Sequence, residues 1–393
     1  MNKLTPQEAW QRISATSTQR KAKGTQAMPE MLMVKDGVYV FSQDGSATIT
    51  TAYEELPVIL GQWDEGDGVM PDALVDMIQS YSKQVKWWEE NPQQQSTKAR
   101  RAAKAASTKI DIPVMLKSKW GQYAPFNDNN PTGCPCGCVA LAVAQVMWHY
   151  REYKRGCTAI TAYKTATNKT KIAALPNVAC FDYKNMTDNK PTTKKGKAAV
   201  AQLLQYIGAA LRSDYRTDGT SAKLSQAYHV LEDNIRLCTK MGYEYESSGV
   251  DGVDRFFNKV YNSLKNGSPV IMRGDNHGKG GHCFIIDGYS AAKNLFHVNW
   301  GWYGQYDGWF ALSALTPYNK NYSTNKAAIT NIKPYILGDI NCDGKVTIQD
   351  VMEEVKVINN GKTDTNDINY DVNYDGVVDV NDANAITKII LEK

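Results

Sequence analysis

Residues 132–150 read TGCPCGCVALAVAQVMWHY. The run from Val139 to Trp148 is apolar on nearly every side, which predicts a buried helix rather than an amphipathic surface one. Cys138 stands directly before that run. A thiol at a helix start faces free N–H groups and the positive end of the helix dipole, and both favour the thiolate. The Cys138 amide would also point at a developing oxyanion. Cysteine is, however, a common small core residue, and an isolated one is usually inert. A nucleophile therefore needs a base elsewhere in the chain.

Of the five histidines, His282 has the most telling context. It lies in GGHCFIIDGY (280–289), a glycine-rich turn running into an apolar strand, where a substrate backbone can approach closely. His282 follows Cys138 by 144 residues, within the span of about 130–150 for papain-like order. In FHVNWGW (296–302), Asn299 is expected to orient the imidazole and Trp300 to shield that bond from water. His149 ends the buried helix and reads as structural. His297 alternates with its strand neighbours and could face either way. Helical patterns come first and short strands (HCFIIDGY, LFHVNW, WFALSAL) second, so residues 110–334 read as an α+β domain.

The flanks differ in kind. Residues 1–95 read as a small α+β unit. A helix opens at Thr5 with Pro6 at its first position, two strands surround Lys35-Asp36-Gly37, and a second helix follows Pro71 with Leu74, Met77, Ile78, Tyr81, Val85 and Trp88 on one face. PQQQSTKARRAAKAAST (92–108) lacks large apolar residues. It is either a solvated linker or a segment where proteases cut. Residues 335–393 hold 12 Asp/Glu against five Lys, net −7, so the +4 of the whole chain leaves +11 for residues 1–334. A basic body with an acidic tail suggests modules of different kinds.

The tail repeats: DINCDGKVTIQD begins at Asp339 and DVNYDGVVDVND at Asp371. Each fits the D-x-[DN]-x-[DN]-G calcium loop. The expected ligands are Asp339, Asn341, Asp343, the Lys345 carbonyl and Asp350 in the first loop. In the second they are Asp371, Asn373, Asp375, the Val377 carbonyl and Asp382. Calcium takes six to eight oxygens, and alternating side chains around a tight loop converge on one point. Two ions are expected, and no cofactor for catalysis. Both closing residues are Asp rather than Glu, and Pro334 and Gly338 stand where an EF-hand has a helix.

The paired loops, each followed by an apolar helix (VMEEVKVI, ANAITKIIL), resemble a dockerin module. That resemblance implies a cohesin-like partner. The central motifs TGC…CVALAVAQVMWHY, GGHCFIIDGY and FHVNWGWYGQYDGWFALSAL resemble the streptopain family of cysteine peptidases, over about Pro113 to Pro334. Residues 1–95, with VILGQWDEG, resemble that family's propeptide. The resemblance implies secreted zymogens with a papain-like α+β fold and endopeptidase activity with an apolar preference at P2. It implies a Cys–His pair carried by Cys138 and His282, with Asn299 and Trp300 at the adjacent family positions. The expected domains are a propeptide at 1–109 that inhibits its own enzyme, a peptidase at 110–334 and a small all-α dockerin-like module at 335–393.

This chain departs from the family where TGCPCGCVA offers three cysteines instead of one. Cys138 alone abuts the helix. Cys134 and Cys136 could pair elsewhere, be oxidised, or join a zinc site, although C-x-C-x-C lacks ordinary ligand spacing. Arg273 stands where some members have a glutamine proposed for the oxyanion hole, and it could instead bind an acidic substrate group. Cys283, next to His282, should face the other way on its strand and belong to the core.

The expected reaction is peptide hydrolysis through a thioester. Two rivals are a non-peptidase acyl-transfer enzyme on the same scaffold and a catalytically silent binding protein located by its dockerin. No apolar run approaches the roughly 18 residues of a membrane span. Nucleic-acid binding is disfavoured, because the basic excess is diluted and shows no known fold signature. MNKLTPQEAW has no apolar leader, so no signal peptide is expected in the chain as given. Protease and calcium module both suggest a secreted or cell-surface location.

Overall fold

The computed structural model describes residues 1–16, 28–64, 70–91, 109–152, 156–237, 241–246, 250–275, 281–312, 324–334, 336–341, 343–361, 370–373, 375 and 377–392. The basic segment around Lys98–Lys104 lies outside them, as do Cys238, Cys342 and Gly376. The chain divides into two compact units, one of residues 1–235 and 241–332, the other of 236–240 and 333–393.

In the first unit, helix α1 (Pro6–Thr16) starts where the sequence places it. Thr5 and Glu8 exchange bonds in a capping box: the Thr5 N–H donates to Glu8 Oε2 at 2.7 Å and the Glu8 N–H to Thr5 Oγ1 at 3.3 Å. Strands β1 (Glu30–Lys35), β2 (Val38–Gln43), β3 (Ser46–Thr51) and β4 (Gly61–Asp64) form a meander. Helix α2 (Asp72–Glu90) buries Leu74, Ile78, Tyr81, Val85 and Trp88, the face expected from its spacing.

Helix α3 (Cys138–His149) is buried from Val139 to Trp148, as its uniform apolarity requires. After it come β5 (Tyr163–Lys164), β6 (Lys171–Ile172), α4 (Lys194–Ala210), α5 (Leu224–His229), β7 (Gly242–Tyr245) and α6 (Val250–Lys265). Strands β8 (Val270–Asp275), β9 (Gly281–Ser290), β10 (Leu295–Asn299), β11 (Gly308–Phe310) and β12 (Thr324–Thr330) complete the unit. Helices on an antiparallel sheet make it α+β.

The N-terminal segment does not form a separate body. One ten-stranded sheet runs β1-β2-β3-β4-β11-β10-β9-β8-β12-β7, and β4 joins β11 through Gly308↔Trp63, Trp309↔Gln62 and Phe310↔Gly61. The junction is tight because two glycines meet it. A Cβ on Gly308 would lie 2.2 Å from the Gln62 carbonyl oxygen, and one on Gly61 would lie 2.8 Å from Phe310. Trp63 stacks on Phe310 with centroids 6.0 Å apart, a contact worth about 0.5–1.5 kcal/mol beyond the area it buries.

The second unit contains helices α7 (Ile348–Asn359) and α8 (Val380–Leu391). Ile340, Val346, Val372 and Ile386 form its core. Each helix follows one of the repeated acidic loops and opens with a capping box, Thr347 with Asp350 and Asp379 with Asp382.

Candidate active site

Gly137 precedes helix α3 at φ 87° and ψ 143°, a conformation open to glycine and strained for other residues. It turns the chain so that Cys138 becomes the first helical residue. The Cys138 thiol is half-buried. Burial alone would push it up, but the hydrogen bond and charge of His282, with the N–H groups of Cys283 and Val139, hold it below the ordinary thiol value. Two residues away, burial pushes the Cys136 thiol well above the ordinary range, and Cys134 rises for the same reason. Both are free, as is Cys283.

His282 sits near the start of β9. Its Nε2 lies 2.9 Å from the Trp300 carbonyl oxygen. A carbonyl can only accept, so Nε2 carries a proton and Nδ1 is the atom left to face Cys138. The ring lies in an aromatic slot, stacked on Trp302 at 4.9 Å and on Trp300 at 6.1 Å. Trp300 and Trp302 are themselves nearly parallel, 5.1 Å apart at 6°.

Asn299 does not fill its expected place. Its Nδ2 donates to the Ser118 carbonyl at 2.9 Å, and its Oδ1 accepts from Gln145 Nε2 at 3.2 Å and from the Gly301 N–H at 3.1 Å. The Asn299 side chain is committed to the loop behind the site, and the main-chain carbonyl of Trp300 orients the imidazole instead. Trp300 is buried against His282, with its carbonyl as the polar contact.

Arg273 stands across from Cys283 on β8, where its charge acts on the Cys283 thiol and on Tyr243. Cys283 is buried, and its thiol is raised by burial and then by the Cys138 charge. It is a core residue, yet one close enough to feel the reactive thiol. The Gln122 carbonyl accepts the Cys136 N–H at 2.9 Å, which ties the chain before the site to the turn into α3.

His297 turns inward. Its Nδ1 lies 2.6 Å from Asp287 Oδ1, and Asp287 is fully buried. Burial opposes the imidazolium, but the Asp287 bond and the charges of Asp287 and Asp307 raise His297 above its ordinary value.

In the second unit the acidic side chains bend into their loops. Asp339 accepts from the N–H groups of Asp343 and Gly344 at 3.0 and 2.8 Å. Asp350 accepts from Asn341 at 3.1 Å and Thr347 at 2.8 Å, and Asp382 from Val372 at 2.7 Å and Asp379 at 2.9 Å. The closing Asp thus serves both the loop and the helix cap. Burial raises Asp339, and the charges of Asp350 and Asp343 raise it further, against the pull of those N–H groups. Crowded hard oxygens fit a divalent cation that relieves their repulsion, although among the described residues no three His, Cys, Asp or Glu side chains form a ready metal cluster. Asp371, Asn373, Asp375 and Val377 occupy the matching positions of the second loop.

Fold and site together define a cysteine peptidase. The Peptidase C10 family model matches residues 120–310 and the dockerin type I domain model matches residues 337–391. The central region is therefore similar to the peptidase C10, or streptopain, family, and the C-terminal region to dockerin type I domains, a class that binds calcium. Streptopain from Streptococcus pyogenes serotype M28 is 27% identical over 316 residues, covering 71% of this chain and 75% of that protein. The thiol protease/hemagglutinin PrtT of Porphyromonas gingivalis is 21% identical over 313 residues, 73% of this chain and 35% of that one. A prointerpain A fragment from Prevotella intermedia shares the fold, with a TM-score of 0.61 and 24% identity over 78% of this chain and 99% of that one.

Proposed function

We propose that the chain is the zymogen of a secreted cysteine endopeptidase, with residues 1–109 as propeptide, 110–334 as peptidase and 335–393 as dockerin. The supporting observation is the Cys138 thiol, lowered by His282, whose Nε2 donates to the Trp300 carbonyl. The thiol proton passes to His282 Nδ1, and the thiolate attacks the scissile carbonyl carbon. The Cys138 N–H, at the start of α3, donates to the tetrahedral oxyanion. His282 then protonates the leaving amine as the C–N bond breaks, leaving a thioester. Water, deprotonated by His282, releases the acid and restores the thiol.

The propeptide acts as an intramolecular inhibitor, and its β4–β11 pairing supports a firm hold. Cutting in 92–108 releases it. Two calcium ions occupy the loops of the dockerin, one each. A cohesin-like domain docks on its helices, a reading supported by the exposure of Ile348 (64%), Met352 (57%), Val380 (61%) and Leu391 (81%). Secretion or surface attachment follows from a dockerin and a streptopain-like enzyme sharing one chain. Among the described residues no helix is long and apolar enough to cross a membrane.

Casein hydrolysis under reducing conditions tests the reading, with full-length chain, a 110–393 fragment, Cys138→Ala and His282→Ala. The fragment should be active and both variants inactive. Activity surviving Cys138→Ala refutes the mechanism, and equal activity in fragment and full chain refutes the zymogen. A Cys138 that alkylates no faster than free cysteine near neutrality would favour a silent binding protein.

A further inference from the structure

One carboxylate beside the site has no part in that chemistry. Asp307 lies at the end of the loop that leaves β10 after Asn299, directly before β11. Its Oδ1 accepts the Trp300 N–H at 2.8 Å. Trp300 is also the residue whose carbonyl receives the His282 Nε2 proton at 2.9 Å. The two polar groups of one residue are therefore gripped at once, the N–H by a carboxylate and the carbonyl by the imidazole. Both neighbours are pinned as well, because the Asn299 side chain is bonded to Ser118, Gln145 and Gly301. A carboxylate acceptor makes a shorter and roughly twice stronger bond than a neutral one.

The charges around Asp307 come from three elements. His297 on β10 and Lys119, before α3, draw it toward the charged form, and Asp287 on β9 opposes that. Burial is the largest influence, and the carboxyl is pushed up to about 7. Of the two balancing groups His297 has the larger influence, and its ring has a partner of its own, Asp287 at 2.6 Å.

We propose that Asp307 is a positioning residue for catalysis: by holding the Trp300 N–H it fixes the Trp300 carbonyl, and through that carbonyl the tautomer and ring plane of His282. Asp307 touches neither substrate nor thiol. The proposal rests on the Cys138–His282 reading above. A purely structural clamp on the 300–307 loop would change how much protein folds. A positioning residue changes the turnover of the molecules that do fold.

The test compares wild type, Asp307→Ala and Asp307→Asn in the full chain after activation. Folded protein is first separated from unfolded material by size-exclusion chromatography, and its active sites are then counted by labelling Cys138 with iodoacetamide. Asp307→Ala should lose about tenfold to a hundredfold in kcat, since a misplacement of about 1 Å costs about that much. Its KM should stay within about twofold, as for an interaction used only in the transition state. Asp307→Asn keeps an acceptor oxygen at the same reach and should recover to within about fivefold of wild type, the gap reflecting a neutral acceptor. It should also lack the part of the kcat/KM profile that falls in the wild type as pH drops through the Asp307 titration near 7. The limb owed to Cys138 should persist in both.

Asp307→Ala turning over like wild type per labelled site overturns the proposal, and so does Asp307→Asn as impaired as Asp307→Ala. If Asp307→Ala yields no folded protein, Asp307→Asn decides alone: an unaltered pH profile or a loss beyond about tenfold overturns the proposal. Wild type without casein hydrolysis removes the underlying reading and the proposal together. An active wild type with indifferent Asp307 variants removes the proposal only.

Discussion

Two imidazoles in this molecule are held in opposite ways. His282 meets a thiol on one side and a main-chain carbonyl on the other, in a slot of tryptophans. His297, on the next strand, meets the buried Asp287 carboxylate at 2.6 Å. The second pair has the shorter bond and the buried acid of a catalytic dyad, but no nucleophile among the described residues on its far side. A carboxylate partner favours the imidazolium, as it does for His297. A carbonyl partner fixes only the tautomer and leaves the other nitrogen able to take and return a proton. Hydrogen-bond strength alone favours His297, and the chemistry of both neighbours favours His282.

The largest expected effect breaks this contrast at the thiol. His282→Ala should lower casein hydrolysis by about 10³-fold or more, the scale of losing a positioned acid–base. A comparable loss in a folded His297→Ala would erase the distinction between the two imidazoles.

Next comes selectivity among cysteines. With iodoacetamide near neutrality, peptide mapping should find Cys138 labelled first and Cys136 and Cys283 last, because His282 lowers the one thiol and burial raises the others. Equal labelling of Cys136 would break the comparison from the cysteine side.

A third prediction concerns stability. Replacing His297 by Ala strands the buried Asp287 carboxylate, at a cost of about 3 kcal/mol in urea unfolding. The sign of its pH dependence follows from a raised folded-state pKa. The pairing contributes fully below the unfolded value of about 6.5 and is lost as pH rises through the higher folded value. Asp307 acts in the same direction, since a carboxyl raised to about 7 makes folding less favourable as pH climbs from the ordinary carboxylate range to that point. The urea midpoint should therefore fall as pH rises through neutrality, and His297→Ala should flatten part of that fall.

The smallest effect lies in the dockerin. Chelating calcium should lower the stability of its transition by about 2–3 kcal/mol at an ion concentration near a hundred times Kd. Casein turnover should not change. A midpoint indifferent to chelator would remove the ions from the account.

Much of this site was legible in the sequence for physical reasons. A helix apolar on all sides must be buried, so its apolarity alone locates Cys138 at its start. The glycine-rich entry to an apolar strand marked His282. Paired acidic loops marked the dockerin. The third member of the site was misread because a side chain was sought. Main-chain carbonyls leave no trace in residue type, so Asn299 took the role that the Trp300 backbone performs. The joining of Gly61–Asp64 to Gly308–Phe310 was hidden as well, because strand partners far apart in the chain share no local pattern.

The lengths of the two free strands bear on solubility. Before cutting, the sheet ends on the six-residue β1, with Met31 (41%), Leu32 (41%) and Val34 (55%) open to solvent. Once the N-terminal segment departs, it ends on β11, three residues long and opened by a glycine. Long apolar edges recruit other chains, and very short ones do not. Maturation on these lines discards the stickier margin along with the inhibitor, so the precursor, rather than the working enzyme, carries the greater tendency to aggregate.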